Sequence, residues 1–265
     1  MAMAIQWIRT ADYDAMSEAG AARIAAAIER RLATGGPMRL GLATGNTMLT
    51  VYRRLAEMLN ARGTSLARLH TFNLDEYVGQ DGQWVPVDHP LSYRAYMEQN
   101  LFCRFDPHLG MKPENIHFPD PVDPAGFDAR IEQLGGLDLQ LLGIGFNGHI
   151  AFNEPIAESE ITAEAFAALP TRVVDLKELT IETNARLTAD GDRTRVPRQA
   201  VSMGMRPILA AREILLLACF REQIEPLERI RRGRPTPELP ASFLLTHGNS
   251  TVIYAGDKVL LEERR

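Results

Sequence analysis

The pattern of apolar and polar positions predicts helices and strands in turn. Residues 12–34, DYDAMSEAGAARIAAAIERRLAT, carry Met16, Ala19, Ile24, Ala27, Ile28 and Leu32 along one face at helical spacing. This is a helix of about six turns, in a stretch rich in the helix formers Ala, Arg and Glu. Gly35, Gly36 and Pro37 interrupt it, and the MRLGLAT that follows has the short apolar run of a buried strand. GNTMLTVYRRLAEMLNAR returns to a helical period. RLHTFNLDEY reads as a strand, HPLSYRAYMEQNLF as a helix begun at a proline, LDLQLLGIG as a strand, and REILLLACF as a strand leading into REQIEPLERIRR, a helix. Strands alternating with helices predict the α/β class. The expected architecture is one Rossmann-like domain over residues 1–265, a mostly parallel sheet flanked by helices on both faces.

Composition narrows the function classes. At 265 residues the chain is long enough to bury roughly three-quarters of its unfolded surface. It is 45% hydrophobic and 24% charged with a formal net charge of -5. No apolar run approaches the ~20 residues of a membrane span, and neither a membrane nor a nucleic-acid partner is expected. The amino-terminal MAMAIQWIRTADYDAM lacks the basic and uninterrupted apolar regions of a secretory leader, which predicts a cytoplasmic protein. Cys103 and Cys219 have no Cys or His at ligand spacing, so both are expected to be buried thiols rather than a disulfide or a metal pair. Helices with apolar second faces, such as AARIAAAIERRLA, leave room for a homo-oligomer.

In an open parallel sheet, ligands gather beyond the carboxyl ends of the strands, and three loops there carry chemistry. The first, Thr44-Gly45-Asn46-Thr47, joins a strand to a helix whose first N–H groups have no intrahelical partner. It can receive an anion, with Thr44 and Thr47 adding hydroxyls, or Asn46 or Thr47 can simply cap the helix. It matches neither the P-loop nor the Rossmann glycine fingerprint. The second, FNLDEYVG, holds Asp75 beside Glu76. In extended backbone they point to opposite sides, so only one can face a cleft, where desolvation would fit it for moving protons. The third, LLGIGFNGHIAFNEP, sets Asn147, His149 and Glu154 among Gly143, Gly145 and Gly148. A carboxylate on one ring nitrogen fixes the imidazole tautomer and frees the other nitrogen for proton transfer; the alternative is a core histidine. His70, His89, His108, His117 and His247 lack such framing, although His247 in SFLLTHGN can approach a cleft. Nothing stands at zincin-like spacing, and no metal is expected.

In order along the chain, GLATGNTMLTVYRRL, FNLDEYVG, HPLSYRAYM, LLGIGFNGHIAFNEP, TRVVDL, VPRQAVSMGM and PASFLLTHGN resemble the glucosamine-6-phosphate deaminase family nearly end to end. LDEY with GHIAFNEP separates the chain from the sister 6-phosphogluconolactonases, whose loops resemble GDER and DGHTASLFP. The resemblance implies a cofactor- and metal-independent isomerisation of an amino-sugar phosphate, with release of ammonia to give fructose 6-phosphate. It implies that His149, held by Glu154 and Asn147, opens the pyranose ring, and that Asp75 carries a proton from C2 to C1. Thr44, Gly45, Asn46, Thr47, Gly145, Gly148 and Arg186 in TNARL are implied to bind the substrate and its phosphate.

The sequence also departs from the family. The first loop, usually TGGTP, reads TGNTM, and the lysine of a G-x-x-K segment is Gln223 in Phe220-Arg221-Glu222-Gln223. The amide keeps a donor but loses the charge, which predicts weaker phosphate binding unless Arg221 compensates. GQDGQWVPVDHP and IAESEITAEAFAALP are longer than usual and are read as lids or as plain surface variation. Arg172 in TRVVDL is kept, but Val174 stands for a lysine of the allosteric members, so no activation of that kind is expected. The alternatives are a deaminase for a different amino-sugar phosphate, a lactonase-like hydrolase, and a non-catalytic sugar-phosphate sensor. The last is disfavoured by the net charge of -5 and the lack of a helix-turn-helix.

Overall fold

A computed structural model describes residues 5–262. Residues 1–4, part of the stretch read for a leader, lie outside them. The strands are β1 (Gln6–Thr10), β2 (Met38–Leu42), β3 (Leu69–Asn73), β4 (Asp75–Val78), β5 (Ile116–His117), β6 (Leu139–Leu142), β7 (Arg172–Asp175), β8 (Gln199–Ser202), β9 (Ile214–Ala218) and β10 (Ser250–Ala255). The helices are α1 (Tyr13–Ala33), α2 (Leu49–Arg62), α3 (Tyr93–Asn100), α4 (Pro124–Gln133), α5 (Ala163–Ala167), α6 (Glu178–Thr188), α7 (Met205–Leu209) and α8 (Ile224–Arg232). Among the described residues no helix is long and apolar enough to cross a membrane.

Seven strands form a parallel sheet in the order β1-β10-β9-β6-β2-β3-β5. Its inner strands β2, β6 and β9 are buried at every position, which is why they read as mostly apolar runs, broken only by buried Arg39 and Gln140. From β2 the chain moves outward through β3 to β5, then returns to place β6 on the other side of β2 and continues through β9 to β10. The sheet thus has a switch point between β2 and β6. At the starting ends of these strands, buried Arg39 clamps Asp138: Arg39 Nε donates to Oδ2 at 2.7 Å, its Nη2 to Oδ1 at 2.6 Å, and its backbone N–H to Oδ2 at 2.9 Å.

The first helix forms as its pattern predicts. Asp12 caps α1 by accepting from the Ala15 N–H at 2.9 Å, and Met16, Ile24, Ala27 and Ile28 are buried while Ala19 and Leu32 are half-buried. The predicted helix after Gly45 begins only at Leu49, behind a single tight turn at Asn46–Met48. Two expectations are corrected. RLHTFNLDEY is not one strand: after Asn73 the chain leaves the main sheet, and β4 pairs antiparallel with β8, which also pairs with β7. Cys103 is exposed rather than buried, because it lies on the outer side of a one-turn helix after α3, whereas Cys219 is buried at the end of β9. The small sheet has its own core, in which Ile181 and Ala185 of α6 join Tyr77, Phe152 and Ala200.

Replacing Asp138 with Ala leaves Arg39 buried without its partner, and we expect a loss of about 3–5 kcal/mol in urea unfolding. Burial acts to raise the Asp138 pKa, but the hydrogen bonds and charge of Arg39 outweigh it and hold it below the ordinary value. Its contribution is therefore complete above the unfolded pKa of about 4 and is lost as pH falls through the folded value. The wild-type advantage over Asp138→Ala must shrink in acid; an equal gap at pH 3 and pH 7 contradicts this account.

Candidate active site

Beyond the carboxyl ends of β2, β3, β6 and β9, at the switch point, lies a cavity of about 250 Å³. Connections leaving adjacent strands in opposite directions open such a crevice. The loops after β2, β3 and β6 that the sequence singles out all contribute to its wall.

The paired carboxylates separate as strand geometry requires. Asp75, at the start of β4, lines the cavity, is 5% exposed, and accepts no hydrogen bond among the described residues. Burial, and after it the neighbouring Glu76 carboxylate, push its pKa up to about 8. Glu76 points the other way, into the amino-terminal end of α3, where it accepts from the Tyr93 N–H at 2.9 Å, the Arg94 N–H at 2.9 Å and the Ser92 hydroxyl at 3.0 Å. One carboxylate is a helix cap fixed by donors; the other is left without donors in a dry wall.

The loop after β6 builds a linked group around His149. Its Nδ1 lies 3.5 Å from Glu154 Oε2 and has no hydrogen-bond partner among the described residues, so a proton placed there faces that carboxylate. Glu154 is further held by the Asn147 amide, which donates to Oε2 at 2.8 Å, and by the Thr180 hydroxyl, which donates to Oε1. Burial acts to raise the Glu154 pKa, but the facing imidazole, Thr180 and Asn147 outweigh it and keep it below the ordinary value. Asn147 does not touch the imidazole ring; its Oδ1 accepts from the His149 backbone N–H at 3.1 Å. Gly145 lines the cavity because the ring lies on it: an added Cβ would sit 2.3 Å from His149 Cε1. Gly148 does not line the cavity. Its φ of +85° turns the loop, and Leu239 occupies the space a side chain would need.

Thr44, Gly45, Asn46 and Thr47 all line the cavity, with Gly45 at φ +109°. Arg186 does not line it. Its guanidinium is 61% exposed on α6 and lies 3.9 Å from Glu222. Gln223 is buried in the wall and its amide is spent on backbone: Oε1 accepts from the N–H groups of Cys219 at 2.8 Å and Phe220 at 2.9 Å, and Nε2 donates to the Ile144 carbonyl oxygen at 2.8 Å. His247 bonds the Ala211 carbonyl oxygen at 2.7 Å and takes no part in the wall.

The roof is α6, from which sequence reasoning singled out only Arg186 and not Thr180 or Asn184. Thr180 bonds Glu154, and Asn184 donates to the Tyr77 hydroxyl at 2.7 Å. No local signal marks these contacts, because both partners come from distant segments. Neither lengthened loop forms the roof. Trp84 is pinned to the body by its Nε1 bond to the Pro119 carbonyl oxygen at 2.7 Å, and residues 156–170, including α5, pack Phe166 on Phe243 away from the cavity.

The family model described as glucosamine-6-phosphate isomerases/6-phosphogluconolactonase matches residues 11–163. The glucosamine-6-phosphate deaminase of Rhodopirellula baltica is 43% identical over 242 residues, covering 89% of each chain. Glucosamine-6-phosphate deaminase 2 of Bacillus subtilis is 38% identical, with 86% of this chain and 88% of that one covered. Among solved structures, a monomeric glucosamine-6-phosphate deaminase of the NagB superfamily superposes with a TM-score of 0.82 at 31% identity, covering 94% of this chain and 97% of that one. A 6-phosphogluconolactonase from Thermotoga maritima superposes with a TM-score of 0.69 at 22% identity over 94% and 98% of the two chains, and shares the fold.

The donor-free setting of Asp75 predicts a pH signature in stability. Its folded pKa of about 8 lies above the unfolded value of about 4, so between them the native state binds more protons. Stability is then lost as pH rises through that window. Asp75→Asn has no proton to lose, and its stability relative to wild type should climb from pH 5 to pH 8 in urea unfolding. The same difference at both pH values would refute the assignment.

Proposed function

Since the chain belongs to the family of glucosamine-6-phosphate isomerases and 6-phosphogluconolactonases, we propose that it is a glucosamine-6-phosphate deaminase, converting its substrate to fructose 6-phosphate and ammonia. The observation that carries this reading is the pairing, in one cavity, of a buried carboxyl without donors, Asp75, and an imidazole backed by a carboxylate held by Asn147 and Thr180, His149 with Glu154. Two carboxyls, Asp75 and Glu154, whose pKa values are pushed in opposite directions leave one poised to move protons and the other as the charge behind the imidazole.

His149 takes the proton of the anomeric hydroxyl and delivers one to the ring oxygen, which opens the pyranose. Glu154 faces Nδ1 at 3.5 Å and stabilises the imidazolium formed on the way. The open-chain aldehyde acidifies the hydrogen on C2. Ionised Asp75 removes it while a proton of the substrate's ammonium group passes to the C1 oxygen, giving an enolamine with a hydroxyl on C1, and Asp75 then returns its proton to C1 on the same face. This leaves an iminium at C2; water adds there, ammonia departs, and the ketose phosphate remains. The roof over the cavity keeps bulk water from quenching the enolamine. The phosphate is assigned to the Thr44–Thr47 loop, where glycine admits it close to backbone N–H groups. A sugar phosphate is retained in the cell by its charge, which supports a cytoplasmic site of action.

Purified protein should release ammonia from glucosamine 6-phosphate, and Asp75→Asn should lower kcat by about 10²–10⁴. Because the base must be ionised, kcat/KM should rise as pH climbs through about 8. Stronger turnover of another amino-sugar phosphate in a substrate panel would replace the substrate named here while keeping the chemistry.

A further inference from the structure

No Lys or Arg side chain is among the described residues that line the cavity. Arg186 faces Glu222 outside it, and Gln223 is uncharged, its amide bonded to the backbone of Cys219, Phe220 and Ile144. On the reading of the Thr44–Thr47 loop as the phosphate locus, on which this inference rests, an anion there meets neutral donors first. The backbone N–H groups of Gly45, Asn46 and Thr47 donate to no acceptor among the described residues, and the Thr44 and Thr47 hydroxyls stand beside them. Neutral donors hold a phosphate only if they already point inward, because each is weaker than a charge-assisted bond and reorienting it costs part of what it gives.

A peptide can face an anion with its N–H or, after a flip, with its carbonyl oxygen. In the related loops a second glycine and a proline at the first helical position set this backbone; here Asn46 and Met48 stand there. The orientation is set from outside the loop instead. Tyr96 of α3 donates its hydroxyl to the Gly45 carbonyl oxygen at 2.8 Å, beside the Met48 N–H at 2.9 Å. Tyr13, in the first turn of α1, places its hydroxyl 3.2 Å from the Asn46 carbonyl oxygen and 3.3 Å from that of Thr47, and accepts from the Thr50 N–H at 3.2 Å. Two hydroxyls from two helices hold the carbonyls of three successive residues. The N–H groups between them are thereby left for a ligand.

We propose that Tyr96 and Tyr13 are positioning residues that lock the Thr44–Thr47 loop with its N–H groups inward, and so set affinity for the phosphate of the substrate. Neither hydroxyl touches the reacting carbons, so its loss should be felt in binding rather than in chemistry. The two act on different peptides, and their effects should accumulate.

The test uses inorganic phosphate alone, titrated calorimetrically and as an inhibitor of ammonia release, with Tyr96→Phe, Tyr13→Phe and the double variant. Both substitutions keep the ring and its packing. For each we expect the phosphate dissociation constant and the KM for glucosamine 6-phosphate to rise together by about three- to tenfold, the loss of one neutral hydrogen bond, with kcat within about twofold of wild type. Unchanged phosphate affinity in the folded variants overturns the proposal while leaving the deaminase reading intact, and so does a fall in kcat at constant KM. Weakened phosphate binding in a protein that turns over no amino-sugar phosphate supports the brace and overturns the deaminase reading. Wild-type protein that binds no phosphate overturns the brace and the phosphate assignment together.

Discussion

The molecule depends on holding β2 and β6 side by side while the connections that leave them diverge. At one end the pair is tied by the buried contact between Arg39 and Asp138; at the other the diverging loops line the cavity. A buried ion pair is a poor source of net stability, since desolvation offsets most of its attraction. Its value here is directional: five planar donors on Arg39 accept only a narrow range of strand placements. Three bonds from one arginine to one carboxylate align the two strands from which the Thr44–Thr47 loop and the His149 loop depart.

A second junction positions Asp75 against the His149–Glu154 pair. Ser202 and Met203, at the end of β8, reach both halves of the site. The ladder pairs Ser202 with Asp75, the Ser202 hydroxyl accepts from the Phe152 N–H at 2.9 Å, and the Met203 carbonyl oxygen accepts from the Asn153 amide at 2.8 Å. Loops on separate strands would drift relative to each other; bonded to one strand end, they are kept in a fixed relation. The chemical division follows from local supply of donors. Glu154 has three groups facing its oxygens and stays ionised, while Asp75 has none and resists ionisation.

What could be read from the sequence is what local periodicity governs. The first helix, the buried strands β2, β6 and β9, and the opposed faces of Asp75 and Glu76 all follow from spacing of 3.6 or 2 residues. The His149 loop is legible because its glycines and polar residues lie within one short segment. The small sheet is not, since β4 and β8 find each other across more than a hundred residues and each is only four residues long. The same limit hides α6 as a roof, where Thr180 matters only through Glu154. Family resemblance placed Arg186 and Gly148 in the binding wall, but a side chain's direction depends on its neighbours, and here Glu222 faces the one while Leu239 fills the space beside the other. Gln223 shows the converse: lacking the charge expected there, it serves as a brace for the strand end it follows.

The adjacency of Asp75 and Glu76 carries one more consequence. A slip of one residue in the pairing of β4 with β8 would exchange the two side chains, sending Glu76 into the cavity and Asp75 towards α3. The shorter side chain would fall short of the Ser92, Tyr93 and Arg94 donors that Glu76 now satisfies, leaving the first N–H groups of α3 without their acceptor. An off-register chain therefore cannot persist as a well-folded but inactive impostor. By placing the cavity-facing carboxyl and the structural one on consecutive residues, the fold makes correct assembly and the placement of Asp75 in the cavity a single event, so that the surviving population is uniform in its cavity wall.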